Sequence, residues 1–205
     1  MEEQAHKRQF TIDKEKKKIR NRIIWLSISL NILILDQLSK WAVMEMIMRP
    51  KIQGQDGFNI LEWYTNTPSI LPYTYIKITD FFNLVMAWNT GVSFSMFSGN
   101  TAYMPYILLI VALGITAMFT KWLWDAEKHI HGISYALIIG GALGNIVDRS
   151  RFGAVIDFLD FHALGYHWPA FNIADMSVVI GISMLIIVSL FFDIKDKRLY
   201  PKRRK

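Results

Sequence analysis

Apolar and polar positions divide the chain into blocks. Residues 23–43 (IIWLSISLNILILDQLSKWAV), 102–120 (AYMPYILLIVALGITAMFT) and 176–194 (MSVVIGISMLIIVSLFFDI) are apolar runs. Each matches the ~20 helical residues that a bilayer core requires. A further run, residues 133–148 (ISYALIIGGALGNIVD), third in chain order, is shorter and spans when extended at its N-terminal end through Ile130. Its Gly140, Gly141, Ala142 and Gly144 leave room for a neighbouring helix to approach closely. Between the first two runs, residues 44–101 change character: a turn-rich piece (QGQDGFN), then Pro68 and Pro72, then TYIKITD and FFNLVMAWN. The last two strings are rich in aromatic and β-branched residues and partly alternate, as strands do. The pattern predicts a mainly α membrane protein with four transmembrane helices and a small β-sheet and loop region on the outer membrane face.

Charge orients this arrangement. Of the 23 Lys and Arg residues, 17 fall in segments 1–22, 121–132 and 195–205. An excess of Lys and Arg marks the cytoplasmic side, so both termini are expected there and residues 44–101 outside. The domain reading is a four-span unit over 23–194, with basic cytoplasmic tails at 1–22 and 195–205. The net charge of +6 resides in those tails, which favours membrane orientation over nucleic-acid binding. The first run reads as an uncleaved span, because its apolar region is too long for a signal peptide and no small-x-small site follows. Trp25, Trp41, Trp122 and Trp124 near span ends read as an interfacial belt. Cys is absent, which excludes disulfides, thiolate metal sites and a Cys nucleophile.

Polar residues inside spans are costly, and here they gather toward one side. Asp36 and Lys40 lie near the outer end of the first run, spaced so that they pair on one helix face. Structural pairing is favoured over direct chemistry there. Asn145, Asp148 and Arg149 lie at the outer end of the third run; as a group they fit a polar helix end equally well. Asn172 and Asp175 lie at the start of the fourth, where Asn172 fits an N-cap with Asp175 at the third helical position. Asp157 is expected in the short outer loop between the last two runs, and Asp160, His162 and His167 are expected at the surface of that loop. Their spacing does not suggest a metal site, and no HExxH string is present.

The strings LDQLSK (35–40), NTGVSFS (89–95), GGALGNIVDR (140–149), GAVIDF (153–158) and PAFNIADM (169–176) are together more specific than their parts. In this order they resemble the motif set of lipoprotein signal peptidases, and the resemblance covers residues 23–194. It implies a cofactor-free, monomeric inner-membrane peptidase, acting on bacterial prolipoproteins among membrane lipids. Cleavage would fall just before a diacylglyceryl-modified Cys. The resemblance implies Asp157 and Asp175 as the catalytic pair, with Asn89, Asn145, Arg149 and Asn172 lining the substrate site. Asp36, Lys40 and Asp148 match supporting positions. The chain departs from the family in carrying Val92 and Ser93 after the NTG string, and in a longer 40–89 segment and N-terminal tail.

Two carboxyl groups sharing a proton can activate water without Ser, Cys or metal. A position at a helix start favours ionised Asp175, and the flanking Phe158, Leu159 and Phe161 favour neutral Asp157. Two other classes compete. An ion-coupled carrier would use Asp36, Asp148 and Asp175 as a relay, but would place them near the midplane of repeated halves, and no repeat is visible. A noncatalytic lipid-binding assembly factor explains the basic tails but not the Asp and Asn cluster.

Overall fold

The computed structural model describes residues 1–91 and 103–193. Helix α1 runs from Glu2 to Trp41, 40 residues in all. It therefore begins well before the predicted apolar run, and the basic N-terminal residues continue the same helix. The chain supports this length because it has no Gly or Pro before Pro50. Exposed i,i+4 pairs, such as Lys7 with Glu3 at 2.7 Å, add local support. The helix continues through a wider π-type segment, Ala42–Met48, into α2, Arg49–Gln53, and stops where Gly54 adopts a left-handed conformation at φ 65°. A short α3, Ile60–Thr65, follows, opened by a reciprocal cap between Asn59 and Glu62.

Helices α4 (Met104–Asp125), α5 (His129–Phe152) and α6 (Ile173–Val188, extended by a π-type turn to Asp193) complete the bundle. Including α1, four helices are long and apolar enough to cross a membrane among the described residues. The third predicted run is thus lengthened at both ends. Helix α5 packs against α1, α4 and α6. Its glycines permit this: a Cβ on Gly140 would lie 2.6 Å from the Ser29 carbonyl oxygen of α1. On the facing helix, a Cβ on Gly181 would lie 2.7 Å from the Ser134 carbonyl oxygen of α5. Helix α4 instead turns Ile107, Ile110, Val111 and Leu113 outward, the expected face toward lipid. Trp122 and Trp124 are exposed as a belt requires, but Trp25 is not. It is buried with Leu123, Ala136 and Ile139 where α1, α4 and α5 meet, over Gly132 of α5.

The sheet has four antiparallel strands in sequence order: β1 (Thr74–Lys77), β2 (Phe82–Asn89), β3 (Val155–Ala163) and β4 (Tyr166–His167). Strands β1 and β2 arise from the two predicted strings. Strand β3 corrects the expectation of a loop at Asp157. Its sequence, VIDFLDFHA, lacks clean alternation because both faces are covered for most of its length. It pairs with β2 from Phe82↔Phe161 to Asn89↔Val155, with a register irregularity between Leu84 and Ala87. Below the sheet, Met86, Ile156 and Phe158 pack with Trp63, Leu71, Met44 and Met48. This cluster fastens the sheet to the end of α1.

Because backbone oxygens cannot yield as side chains do, Gly140→Ala and Gly181→Ala should each destabilise the bundle by about 1–3 kcal/mol. Gly114, with no atom within 4 Å of its Cβ position, supplies the control. Thermal unfolding followed by Trp fluorescence in detergent micelles should show lower midpoints for the first two variants and no loss for Gly114→Ala.

Candidate active site

Helical spacing puts Asp36 and Lys40 on one face of α1, and both are fully buried. The Lys40 Nζ lies 2.7 Å from Asp36 Oδ2 and 2.7 Å from Asp148 Oδ2 on α5, and donates to Asn145 Oδ1 at 3.3 Å. An ammonium has three donors, and here each has an acceptor. The expected pair is therefore one side of a three-residue cluster. Gly144 faces it without a side chain, since a Cβ there would run into the Asp36 carboxylate. Gln37, to which the sequence reading gave no role, donates to Asp148 Oδ1 at 2.9 Å and to the Gly144 carbonyl at 3.2 Å.

The two carboxylates of this cluster also reach two further elements. Asp36 Oδ1 accepts the Ala174 N–H of α6 at 2.9 Å, and Asp148 Oδ2 accepts the Ile156 N–H of β3 at 3.1 Å. These are the neighbours in sequence of Asp175 and Asp157. The buried cluster thus sets the position of both aspartates.

Asn172 caps α6 as its sequence position suggests. Its Oδ1 accepts the Asp175 N–H at 2.9 Å, and Asp175 Oδ2 accepts the Asn172 N–H at 3.2 Å. It is more than a cap, because its Nδ2 also donates to Asp157 Oδ1 at 2.8 Å. The other Asp157 oxygen accepts from Asn89 Nδ2 at 3.0 Å, and Asp175 Oδ1 accepts from Asn145 Nδ2 at 2.7 Å. Asn89 in turn accepts the Gly91 N–H at 2.8 Å, where the backbone is left-handed at φ 81°. Val92 and Ser93, which depart from the family pattern, lie outside the described residues, as does the C-terminal basic segment.

Asp157 is only 2% exposed. Burial, and then the neighbouring Asp175 charge, push its carboxyl up to about 7, against the opposing pull of Asn89, Asn172 and Lys40. Arg149, at the end of α5, is half-buried and its charge acts on Asp175, Asp148 and Asp157. Its Nε is buried with no hydrogen-bond partner among the described residues. A pair of neighbouring carboxyls, one retaining its proton near neutrality, can accept and donate a proton at one substrate. All nine residues singled out for the site come together here. Asp160 stands apart at the far end of β3. It is buried rather than exposed, held by Asn83 Nδ2 at 2.8 Å and by His167 Nδ1 at 2.9 Å. Among the described residues, no group of three His, Cys, Asp or Glu could hold a metal ion.

The model of the family described as signal peptidase (SPase) II matches residues 28–191, which include every residue of this site. The lipoprotein signal peptidase of Aeromonas hydrophila subsp. hydrophila is 35% identical over 167 residues, covering 80% of this chain and 86% of that protein. That of Ralstonia nicotianae is 37% identical over 169 residues, covering 81% and 83%. That of Francisella tularensis subsp. novicida is 45% identical over 121 residues, covering 57% and 74%. A solved bacterial membrane enzyme superposes with a TM-score of 0.60 at 26% identity, covering 89% of this chain and 94% of its own.

Removing the cation from the buried cluster leaves two carboxylates facing each other. Lys40→Met should therefore cost about 3–5 kcal/mol of stability. Gln37→Leu, which strips one neutral donor from Asp148, should cost about 1–3 kcal/mol. Thermal unfolding of both purified variants tests this ranking. Equal midpoints for Lys40→Met and the unaltered protein would remove the cluster from its structural role.

Proposed function

The chain belongs to the signal peptidase II family, and on that premise we propose that it is an intramembrane aspartic endopeptidase cutting bacterial prolipoproteins immediately before the diacylglyceryl-modified Cys. The observation that carries this reading is Asn172, whose side-chain Nδ2 donates to the Asp157 carboxyl and whose backbone N–H donates to the Asp175 carboxyl, so that one residue holds both carboxyls. In this proposal Asp175, bonded to backbone N–H at the positive end of α6, is the ionised partner and takes a proton from water. Asp157 holds the shared proton, polarises the scissile carbonyl, and passes that proton to the departing amine. The roles then exchange for the next turnover. Asn89 and Asn145 keep the carboxyls oriented. The unpartnered Arg149 Nε is a donor for a substrate carbonyl.

The location supports the reading. Asp157 sits on β3, just after the C-terminal end of α5, and Asp175 sits at the start of α6, so both lie at one end of the bundle. A scissile bond beside a lipidated Cys would lie at such a boundary, with its acyl chains left in the bilayer. The excess of Lys and Arg in segments 1–22, 121–132 and 195–205 supports an orientation with that end on the periplasmic side of the inner membrane and both termini in the cytoplasm.

Asp157→Asn and Asp175→Asn should each lower cleavage of a lipidated precursor at least about 10³-fold, within the range that general acid–base groups contribute. The two proteins should still unfold cooperatively. Precursor and product resolve on gels, and brisk cleavage by either variant would remove that residue from the pair.

The proton on Asp157 also predicts a pH dependence. Folded Asp157 titrates at about 7, against ~3.9 in an unfolded chain, so the folded state holds the extra proton. Its contribution to stability is full below pH ~4 and fades as pH rises toward 7. The kcat/KM should fall with pH above about 7 as this proton is lost. Asp157→Asn should flatten the decline in melting temperature across the same window. A decline equal to that of the unaltered protein would show that another group is responsible.

A further inference from the structure

Two amides hold Asp157, and they arrive from different elements. Asn89 closes β2, and Asn172 ends the segment that carries the chain from β4 to α6. Local structure alone holds neither element firmly. Strand β2 has its register irregularity between Leu84 and Ala87, and Ala87 is the partner of Asp157. An interrupted ladder fixes the relation of its two ends only weakly. Strand β4 is two residues long, and its turn puts Leu164 in the left-handed region at φ 52°. Two-residue hairpin turns favour Asn or Gly at such a position, and so short a hairpin is marginal by itself. From His167 the chain runs to Asn172 without regular helix or strand, through Pro169, which has no N–H to donate. The Trp168 N–H meets the Phe161 carbonyl at 2.8 Å, and Phe171 exchanges backbone bonds with Leu159 at 2.9 and 3.1 Å.

Asp160 meets both elements. It lies on β3, three residues from Asp157, and is only 5% exposed. Asn83 of β2, its register partner on the far side of the irregularity, donates Nδ2–H to Asp160 Oδ2 at 2.8 Å. His167, at the end of β4, lies with Nδ1 2.9 Å from the same carboxylate. Burial raises the Asp160 carboxyl, but Asn83 and His167 more than offset this and hold it below the usual range. An ionised carboxylate only accepts, so His167 Nδ1 carries the hydrogen. One buried charge thus takes a donor from each strand beside β3, and losing either donor leaves it undersatisfied.

We propose that Asp160 is a positioning residue for the hydrolysis: by clasping Asn83 and His167 it fixes the two elements that present Asn89 and Asn172 to Asp157. The proposal rests on the reading of Asp157 as one of the catalytic pair. Both amides favour the charged form of Asp157. With the clasp open they stand off from it, so Asp157 holds its proton more tightly and loses its orientation toward the scissile carbonyl.

The test compares the purified full chain with His167→Leu, His167→Asn and Asp160→Asn, each assayed on a lipidated precursor well below its own thermal midpoint. The His167 side chain is 55% exposed, so its replacement leaves the core intact. His167→Leu and Asp160→Asn should lower kcat about 10–100-fold with KM little changed, the scale of loss for a displacement near 1 Å. Their kcat/KM should also begin to fall at a higher pH than in the unaltered protein. The amide bonds that oppose the proton on Asp157 are weakened there, while the charges of Asp175, Lys40 and Arg149 remain. His167→Asn, whose amide can donate from near the Nδ1 position, should recover most of the lost kcat. An unchanged kcat, or an unmoved pH dependence, in both His167→Leu and Asp160→Asn would overturn the proposal. Equal kcat for His167→Asn and His167→Leu would overturn the part given to His167. Asp157→Asn separates the two layers: brisk cleavage by it overturns the catalytic reading, whereas its inactivity beside fully active His167→Leu and Asp160→Asn overturns the clasp alone.

Discussion

A lysine ammonium buried between two carboxylates is the constraint on which the rest of the structure depends. Neither lipid nor water reaches Lys40, so its three hydrogens must all find acceptors inside the protein. They find Asp36, Asp148 and Asn145, which brings α1 and α5 into one register. The carboxylates have lone pairs to spare, and these take the backbone N–H groups of Ala174 in α6 and Ile156 in β3. Helix packing alone would tolerate small slips along an apolar face. A cluster in which all three ammonium hydrogens and both carboxylates are committed does not, because each slip would leave a buried charge unmatched.

That rigidity makes the two aspartates unequal. Asp175 joins the first turn of α6, where backbone N–H groups are available to a carboxylate. Asp157 lies on a strand covered on both sides and, among the described residues, accepts from side-chain amides, Asn89 of β2 and Asn172 of the helix cap. Amide donors offset part of the desolvation but not all of it, and the nearby Asp175 charge adds to the imbalance. The asymmetry therefore follows from secondary structure: one carboxyl is at a helix start, the other on a strand.

Much of this was legible in the sequence because it depends on local spacing. Four apolar runs, the i,i+4 relation of Asp36 to Lys40, the Asn172 cap and the strings that became β1 and β2 are all short-range signals. What escaped depends on distant partners. Strand β3 lacks the alternation that identifies a half-exposed strand, since its role is to sit between β2 and the helices. Gln37 looks like an ordinary polar residue until Asp148, far along the chain, comes beside it. Trp25 has the position of an interface ring, but Gly132 on α5 makes the hollow that buries it. Asp160 reads as a surface carboxylate until Asn83 of β2 and His167 of β4 close over it.

The short spacing of Asp36 and Lys40 also bears on how the protein is made. The ribosome completes α1 long before it reaches Asp148, so the first helix enters the bilayer without its later partner. Because acid and base lie one turn apart, the helix carries a neutral ion pair rather than an isolated charge from the moment it is wound. The cost of insertion is lowered before any tertiary contact exists. The other two ammonium hydrogens stay open for Asp148 and Asn145 of α5, which gives the arriving helix a single polar docking point and a defined depth. A residue pair that orders the finished site thus also serves as a placeholder during biogenesis, keeping the first span soluble in lipid until the remainder of the chain arrives.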